Sequence, residues 1–318
     1  MFGNSVRYLF CAGALAGASL PALAAQLNND ARAAIPREVQ QLVVIDYRAM
    51  QDSDTAMRLR DKLMPPDLKQ FDDALRKSGL NENHDVDSLA FALYRVAGAT
   101  DQLETVGVAQ GQFPVEDIVA NFRKQKVKAA VLRTNRIYPM GKTGMVLCFV
   151  DPSTMVFGST TAVKQALNAR DGLTQSLLNN SSMMDEMRSV DTEPLWSILD
   201  SKGTQTMMRG LLGEAGSVAD YESVQKRLQG SWYAMSFQHG VKFDLTISTG
   251  DTLAAVTIST MLNVAVMYRK TTGSDSEKAA LADTDVSSSA GKLTVHFAAS
   301  NAQFNSLLQS ELFRSIVR

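Results

Sequence analysis

Side chains able to act as nucleophiles or metal ligands are sparse and scattered along this sequence. His84, His239 and His296 stand in three separate segments with no second histidine three to five residues away, no His-Glu-x-x-His and no paired cysteines. The ligand spacing of a zinc site is therefore absent. The run Asn81-Glu82-Asn83-His84-Asp85-Val86-Asp87 offers hard oxygen atoms of the kind calcium accepts. It lacks the glycine at position six and the glutamate at position twelve of an EF-hand loop, and it reads as a solvated loop between elements. Gly141-Lys142-Thr143 ends like a phosphate-binding loop, but Arg136 stands where the first glycine of that loop would fall and a strand begins at Met145. Pro139-Met140-Gly141-Lys142-Thr143-Gly144 is better read as a hairpin turn. Ser223-Val224-Gln225-Lys226 and Lys142-Thr143-Gly144 match two signatures of penicillin-binding enzymes, in reversed order and without the third. The same S-x-x-K spelling recurs at Ser289-Ala290-Gly291-Lys292 in a polar stretch, which marks it as chance. No G-x-S-x-G elbow is present. A triad assembled by folding around His239 or His296 stands as a separate reading. No catalytic, cofactor-binding or metal-ligating residue is assigned, and no cofactor is expected.

Cys148 lies within Met145-Val146-Leu147-Cys148-Phe149-Val150 with no close His, Lys or Arg, so it reads as a small buried hydrophobe rather than a reactive thiol. Apolar surface is the other place to look. Met183, Met184, Met187, Met207, Met208, Met235, Met261 and Met267 concentrate in the second half, and thioethers repack readily around hydrophobic partners. Leu253 to Tyr268 is apolar almost all round. At 16 residues with four polar members it falls short of a spanning helix and predicts a helix buried between the sheet and a neighbour. Asn179-Asn180-Ser181 and Asn180-Ser181-Ser182 are overlapping glycosylation sequons whose use depends on the host.

The elements that must position these residues follow from period and punctuation. Gln41 to Asp46 predicts a buried strand. Ser53 caps a helix that runs to the break at Pro65-Pro66, and a second helix begins at Asp67 and stops at Ser78-Gly79. Ser88–Tyr94 and Leu103–Ala109 predict strands, and Gly111-Gln112-Phe113-Pro114 leads into a helix with Val115, Ile118, Val119 and Phe122 on one face. Strands follow around Val131-Leu132, Met145 to Val150 and Met155-Val156-Phe157, then a helix from Thr160 stopped by Gly172. The second half repeats the order. Pro194 to Asp200 takes the place of the first strand, Gln205 to Leu212 and Val218 to Leu228 take those of the two helices, and Gly230–Phe237 with Val241–Ile247 form the hairpin. A helix near Asp251, a polar loop over 271–291, a strand at Lys292–Phe297 and a helix from Asn301 to about Arg314 complete it. The expected fold class is α+β: two related units, 25–175 and 176–318, with antiparallel sheets packed against helices on one side.

At the N-terminus, Arg7 precedes an apolar run from Tyr8 to Leu20, then Pro21 and Ala22-Leu23-Ala24-Ala25. The run is too short for a hydrocarbon core of about 30 Å, and Ala22 and Ala24 fit a signal-peptidase site, so residues 1–24 are expected to be a signal peptide cleaved after Ala24. Retention as an anchor is the alternative. Cys11, inside the apolar run, is not a lipidation site. Removing 24 of 318 residues leaves 294, with 31 basic and 33 acidic side chains and Cys148 as the sole cysteine. Such a chain cannot form an internal disulfide and must rely on its core. The near-neutral balance lacks the footprint of a nucleic-acid binder.

The segments Gly111-Gln112-Phe113-Pro114, Ile137-Tyr138 and Val156-Phe157-Gly158-Ser159 resemble secreted and periplasmic bacterial proteins of uncharacterised families with duplicated α+β units. In such families a Gly-Phe strand end leads into a helix, an Ile-Tyr strand follows, and a Phe-Gly-Ser step opens the next helix. The resemblance spans roughly Gln41 to Gly172 and implies no catalytic residues. The leading expectation is an exported, non-catalytic binding or scaffolding protein of the cell envelope, periplasmic or secreted, with a protein partner or a hydrophobic small molecule and no stable membrane span after signal cleavage. A hydrolase with a dispersed active site and a carrier of a hydrophobic ligand through a Met-rich cleft are the alternatives.

Overall fold

Extended strands, whose successive side chains point to opposite faces of a sheet, build the frame of the molecule. The computed structural model describes residues 26–96, 98, 102–142, 144–212 and 221–317; the expected signal peptide, its cleavage site and Cys11 lie outside the described residues. Twelve strands form one antiparallel sheet: β1 (Val39–Asp46), β2 (Val86–Arg95), β3 (Leu103–Gly111), β4 (Ala130–Leu132), β5 (Asn135–Pro139), β6 (Met145–Asp151), β7 (Thr154–Ser159), β8 (Leu195–Asp200), β9 (Leu228–Ser236), β10 (Val241–Thr249), β11 (Asp283–Ser289) and β12 (Lys292–Ala299). Their spatial order is β11-β12-β10-β9-β8-β1-β2-β3-β7-β6-β5-β4. The sheet therefore continues from one half of the chain to the other through the pair β1 and β8, in register from Gln41 opposite Leu199 to Ile45 opposite Leu195. Helices and strands are interspersed along the chain, and the fold is α+β.

The helices are α1 (Asn29–Ala33), α2 (Tyr47–Gln51), α3 (Asp54–Leu63), α4 (Pro66–Lys77), α5 (Glu82–Asp85), α6 (Val115–Lys124), α7 (Thr160–Arg170), α8 (Ser181–Met187), α9 (Ser201–Leu212), α10 (Tyr221–Gln225), α11 (Thr252–Thr272), α12 (Asp275–Ala280), α13 (Asn301–Leu307) and α14 (Glu311–Val317). Their starts obey the capping signals. Ser53, Ser159 and Asp251 each accept a hydrogen bond from the backbone N–H three residues on, at 3.3, 3.0 and 2.8 Å. Pro65 and Pro66 separate α3 from α4, and Gly79, at φ +96°, ends α4 in a conformation that side chains with a Cβ rarely adopt.

The two faces of the sheet differ. On one, Leu42, Val44, Ala90, Ala92, Val106, Val108, Val156, Trp196 and Ile198 are fully buried against α1, α7 and α8. Cys148 belongs to this face, and burial pushes its thiol up to about 11, as suits a small buried hydrophobe. The opposite face carries the alternate residues, and α3, α4, α6, α9, α11 and α13 lie over it through three separate apolar clusters. Helices thus flank both faces, where the sequence pattern suggested one.

Three further expectations are corrected. The stretch 271–291 is not a loop. It holds the end of α11, the short helix α12 with its Ser274–Glu277 capping box, and the edge strand β11. A strand at a sheet edge with one face in water buries only Val286, so its Ser and Asp composition gave no hydrophobic alternation to find. The helix expected over 253–268 is 21 residues long, is apolar and long enough by length and composition to cross a membrane, and is largely uncovered: Leu253 and Met267 are 68% and 67% exposed. The terminal helix breaks after Leu307, and the chain resumes as α14.

Candidate functional site: an apolar cavity

A cavity of about 1810 Å³ lies between the sheet and its looser helical layer. Its floor is the second set of alternating residues: Val43 and Ile45 on β1, Leu89 and Phe91 on β2, Gly107 and Ala109 on β3, Met155 and Phe157 on β7, Tyr233 and Met235 on β9, Phe243 and Leu245 on β10. Val43, Ile45, Leu89 and Phe91 are only half-buried, although they sit mid-strand near the centre of a wide sheet. The roof comes from Met57, Leu59 and Leu63 on α3, Leu68, Phe71 and Leu75 on α4, and Met261, Leu262 and Val266 on α11. The volume exceeds the roughly 300–1,000 Å³ of ordinary small-molecule pockets.

Seven methionines line it: Met50, Met57, Met64, Met145, Met155, Met235 and Met261. Only the last two belong to the group singled out from the second half. Met183 and Met187 pack on the opposite face of the sheet with Met184 against them, Met207 and Met208 belong to a neighbouring cluster, and Met267 points to solvent. The thioether-rich surface exists, but five of its seven members come from the first half.

Close backbone approach shapes one wall. A Cβ on Gly107 would stand 2.2 Å from the ring of Phe157, so the ring lies flat across the strand only because no side chain is there. Phe157 in turn stacks on Phe71 at 5.0 Å and meets Phe91 edge-on at 5.8 Å, tying α4 to the floor.

Polar groups reach the cavity at two ends. At the first, the Arg60 guanidinium donates to the Tyr47 hydroxyl (2.9 Å), to Glu82 (3.0 Å) and to Asp72 (3.4 Å), and lies 5.3 Å from the centre of the Tyr47 ring. Arg76 joins the same carboxylates, 2.5 Å from Asp72 and 3.1 Å from Glu82. Burial, reinforced by hydrogen bonding to Asp72, raises the Glu82 carboxyl above its usual range, and burial likewise raises the Tyr47 hydroxyl. Two cations and two anions neutralise one another there, and the cluster fastens α3 and α4 to the start of α5. At the second end, Arg269 of α11 and Thr284 of β11 line the cavity.

The residues weighed from sequence lie elsewhere. His84 is exposed on α5, and Asp85 is buried, accepting the Asn81 N–H (2.7 Å) and contacting His84 Nδ1 (2.8 Å). No histidine lines the cavity. His296 Nδ1 lies 2.5 Å from Asp244 across β12 and β10, a half-exposed pair on the opposite face. Gly141 and Gly144, at φ +62° and +75°, sit in the turn between β5 and β6. Among the described residues no three His, Cys, Asp or Glu side chains converge on a point that could hold a metal.

No protein-family profile matches the chain, and no curated protein matches it. Among solved structures, crystal form I of TP0453 superposes with a TM-score of 0.50 at 10% identity, covering 88% of this chain and 96% of that one. Crystal forms III and IV of the same protein give 0.48 and 0.47 at 8% and 7% identity, over 87% and 88% of this chain and 98% and 96% of theirs. The chain is therefore similar in fold to TP0453, a likeness that at this identity concerns the fold alone.

Proposed function

We propose that the protein is an exported, non-catalytic binding protein of the cell envelope whose cavity holds a hydrophobic ligand. The observation that carries this reading is the cavity itself. Apolar side chains of the floor on β1, β2, β9 and β10 are left half-covered by protein, and burying such surface under hydrocarbon is favourable at about 25 cal/mol per Å². Of the three roles open from sequence, binding by an apolar cleft accounts for this surface. A hydrolase would need a base beside a nucleophile, and the cavity lining offers Ser159 without a histidine. Export rests on the N-terminal Arg7, apolar run and Ala22-Leu23-Ala24, and fits a chain that folds without disulfides.

The same reading takes the architecture as a duplication. Outward from the central pair, β1-β2-β3-β7-β6 on one side is matched by β8-β9-β10-β12-β11 on the other, with α7 following β7 and α13 following β12. Two such units joined through β1 and β8 supply one floor wide enough for a long apolar ligand, which neither half would span alone.

The test uses Nile red, an uncharged apolar dye. The full chain is expected to bind it saturably below the unfolding transition and to release it above that transition. Val43→Trp, which projects a large ring from the centre of the floor, is expected to weaken binding by about tenfold or more, through occupied volume, with unfolding still cooperative. Binding that persists unchanged in Val43→Trp, or that appears only on unfolding, overturns the reading.

A further inference from the structure

The two polar ends of the cavity differ in how fully their hydrogen-bonding capacity is used, and this difference bears on the ligand's head group. The inference rests on the hydrophobic-ligand reading above. At the Arg60 end the guanidinium is engaged by Tyr47, Glu82 and Asp72, and the charges balance. Arg269 sits in no such network. Among the described residues, Arg269 makes no side-chain hydrogen bond and no ion pair within 4.0 Å, and the Thr284 hydroxyl is buried without a partner. That hydroxyl is closed off from the cavity as well as from protein partners, which leaves the guanidinium as the donor an anion can reach.

Arg269 and Thr284 are carried by elements that meet at this end of the cavity. Lys270, the residue after Arg269, donates from Nζ to the carbonyls of Thr284 (3.2 Å) and Ala282 (3.0 Å), which fixes the end of α11 against the start of β11. Thr284 and Val286, two apart on the strand, both line the cavity. Glu277 is held below the usual range, against its burial, by the backbone N–H groups of Leu312 and Ser274 and then by the charge of Arg269. Its two oxygens are already engaged by the backbone N–H groups of Ser274 and Leu312, each at 3.0 Å. It is committed to capping α12 and receiving the chain at α14, and no hydrogen bond joins it to the guanidinium.

We propose that the cavity takes an anionic amphiphile. Its carboxylate or phosphate head accepts hydrogen bonds from the Arg269 guanidinium, and its hydrocarbon tail lies along the sheet floor toward Phe91 and Phe157. The paired Arg60 cluster closes the far end and makes no contact with the head group.

The experiment compares dansylaminoundecanoic acid with its methyl ester on the full chain, by dansyl fluorescence. The acid is expected to bind about tenfold tighter than the ester, the scale of one charge-assisted contact. Arg269→Gln is expected to bring the two within about twofold by weakening the acid alone, and Arg269→Lys, which keeps the charge and loses the planar fork, to reduce the preference by about threefold. Displacement by dodecanoate and dodecyl phosphate together assigns a general anionic head, and displacement by dodecanoate alone assigns a carboxylate. Equal binding of acid and ester, an undiminished preference in both variants, or equal displacement by dodecyltrimethylammonium overturns the head-group assignment while leaving the apolar cavity standing. Failure of both probes to bind overturns the cavity reading itself. Arg269→Lys keeps the charge and serves if Arg269→Gln does not fold.

Discussion

Glu186 offers the sharpest quantitative prediction, because its setting converts directly into a dependence of stability on pH. It sits on α8, across the sheet from the cavity, with Oε1 3.1 Å from the position that a Cβ on Gly230 would occupy. Burial, and then the negative charge of Asp200, push its carboxyl from 4.5 up to about 7; Lys292 offsets this in part. Asp200 is itself committed, pairing with Arg95 at 2.6 Å and accepting the Gly203 N–H at 2.7 Å, so it cannot turn away. Because the folded state holds this proton more tightly than the unfolded chain, the contribution to stability is fully present below about 4.5 and is lost as pH rises through about 7. The full shift sets an upper bound of about 3 kcal/mol; for a side chain that keeps part of its contact with water, about 1–2 kcal/mol is expected. Glu186→Gln keeps the shape and removes the titration. Urea unfolding of both proteins at pH 5 and pH 8 is the assay: the wild type should lose about 1–2 kcal/mol more than Glu186→Gln between the two. Parallel losses in the two proteins would refute the reasoning.

Other perturbations have expected outcomes of the same kind. Arg60→Met leaves Asp72 and Glu82 adjacent and under-compensated, and should cost about 2–3 kcal/mol in urea unfolding, with faster amide exchange across α3 and α4; adding Glu82→Gln should restore about 1 kcal/mol. Gly107→Ala must displace the Phe157 ring from its stack with Phe71, costing about 1–3 kcal/mol and weakening Nile red binding, since that ring lines the cavity. Leu253→Ser and Met267→Ser, on the uncovered side of α11, should each change stability by no more than about 0.5 kcal/mol, by thermal or urea unfolding.

Much of this architecture was legible from the order of residues. The apolar run over Gln41–Asp46, the cap at Ser53, the Phe-Gly-Ser step ending at Ser159, the prolines at 65 and 66 and the stop at Gly79 each correspond to an element or its boundary, because capping and φ restriction are local. The cavity was not legible. Val43 and Phe91 present the same period whether a helix packs on them or stands off, since alternation records which residues leave water and not what replaces it. Methionine content pointed to an adaptable apolar surface but placed it in the wrong half, because the lining is contributed by strands far apart in sequence. The polar edge strand β11 was missed for the opposite reason: one wetted face and one edge leave too few apolar positions to form a pattern. The unsatisfied hydroxyl of Thr284 is a property of packing alone, with no counterpart in composition.

The ends of the sheet have a bearing on how the protein behaves in a crowded compartment. A twelve-stranded open sheet has two edges, either of which could template a further strand from another molecule. One is β4, three residues long and ended by Arg133 at φ 57°, too short to seed a ladder. The other is β11, where Asp283 and Asp285 bring negative charge to the rim, and Ser287 spends its hydroxyl on Thr294 of the neighbouring strand at 2.8 Å. Copies of the chain approaching edge to edge at β11 meet like charges, and at β4 find almost no strand to extend. A wide sheet of this kind can be abundant without polymerising through its backbone, and its unusual width is available for other use.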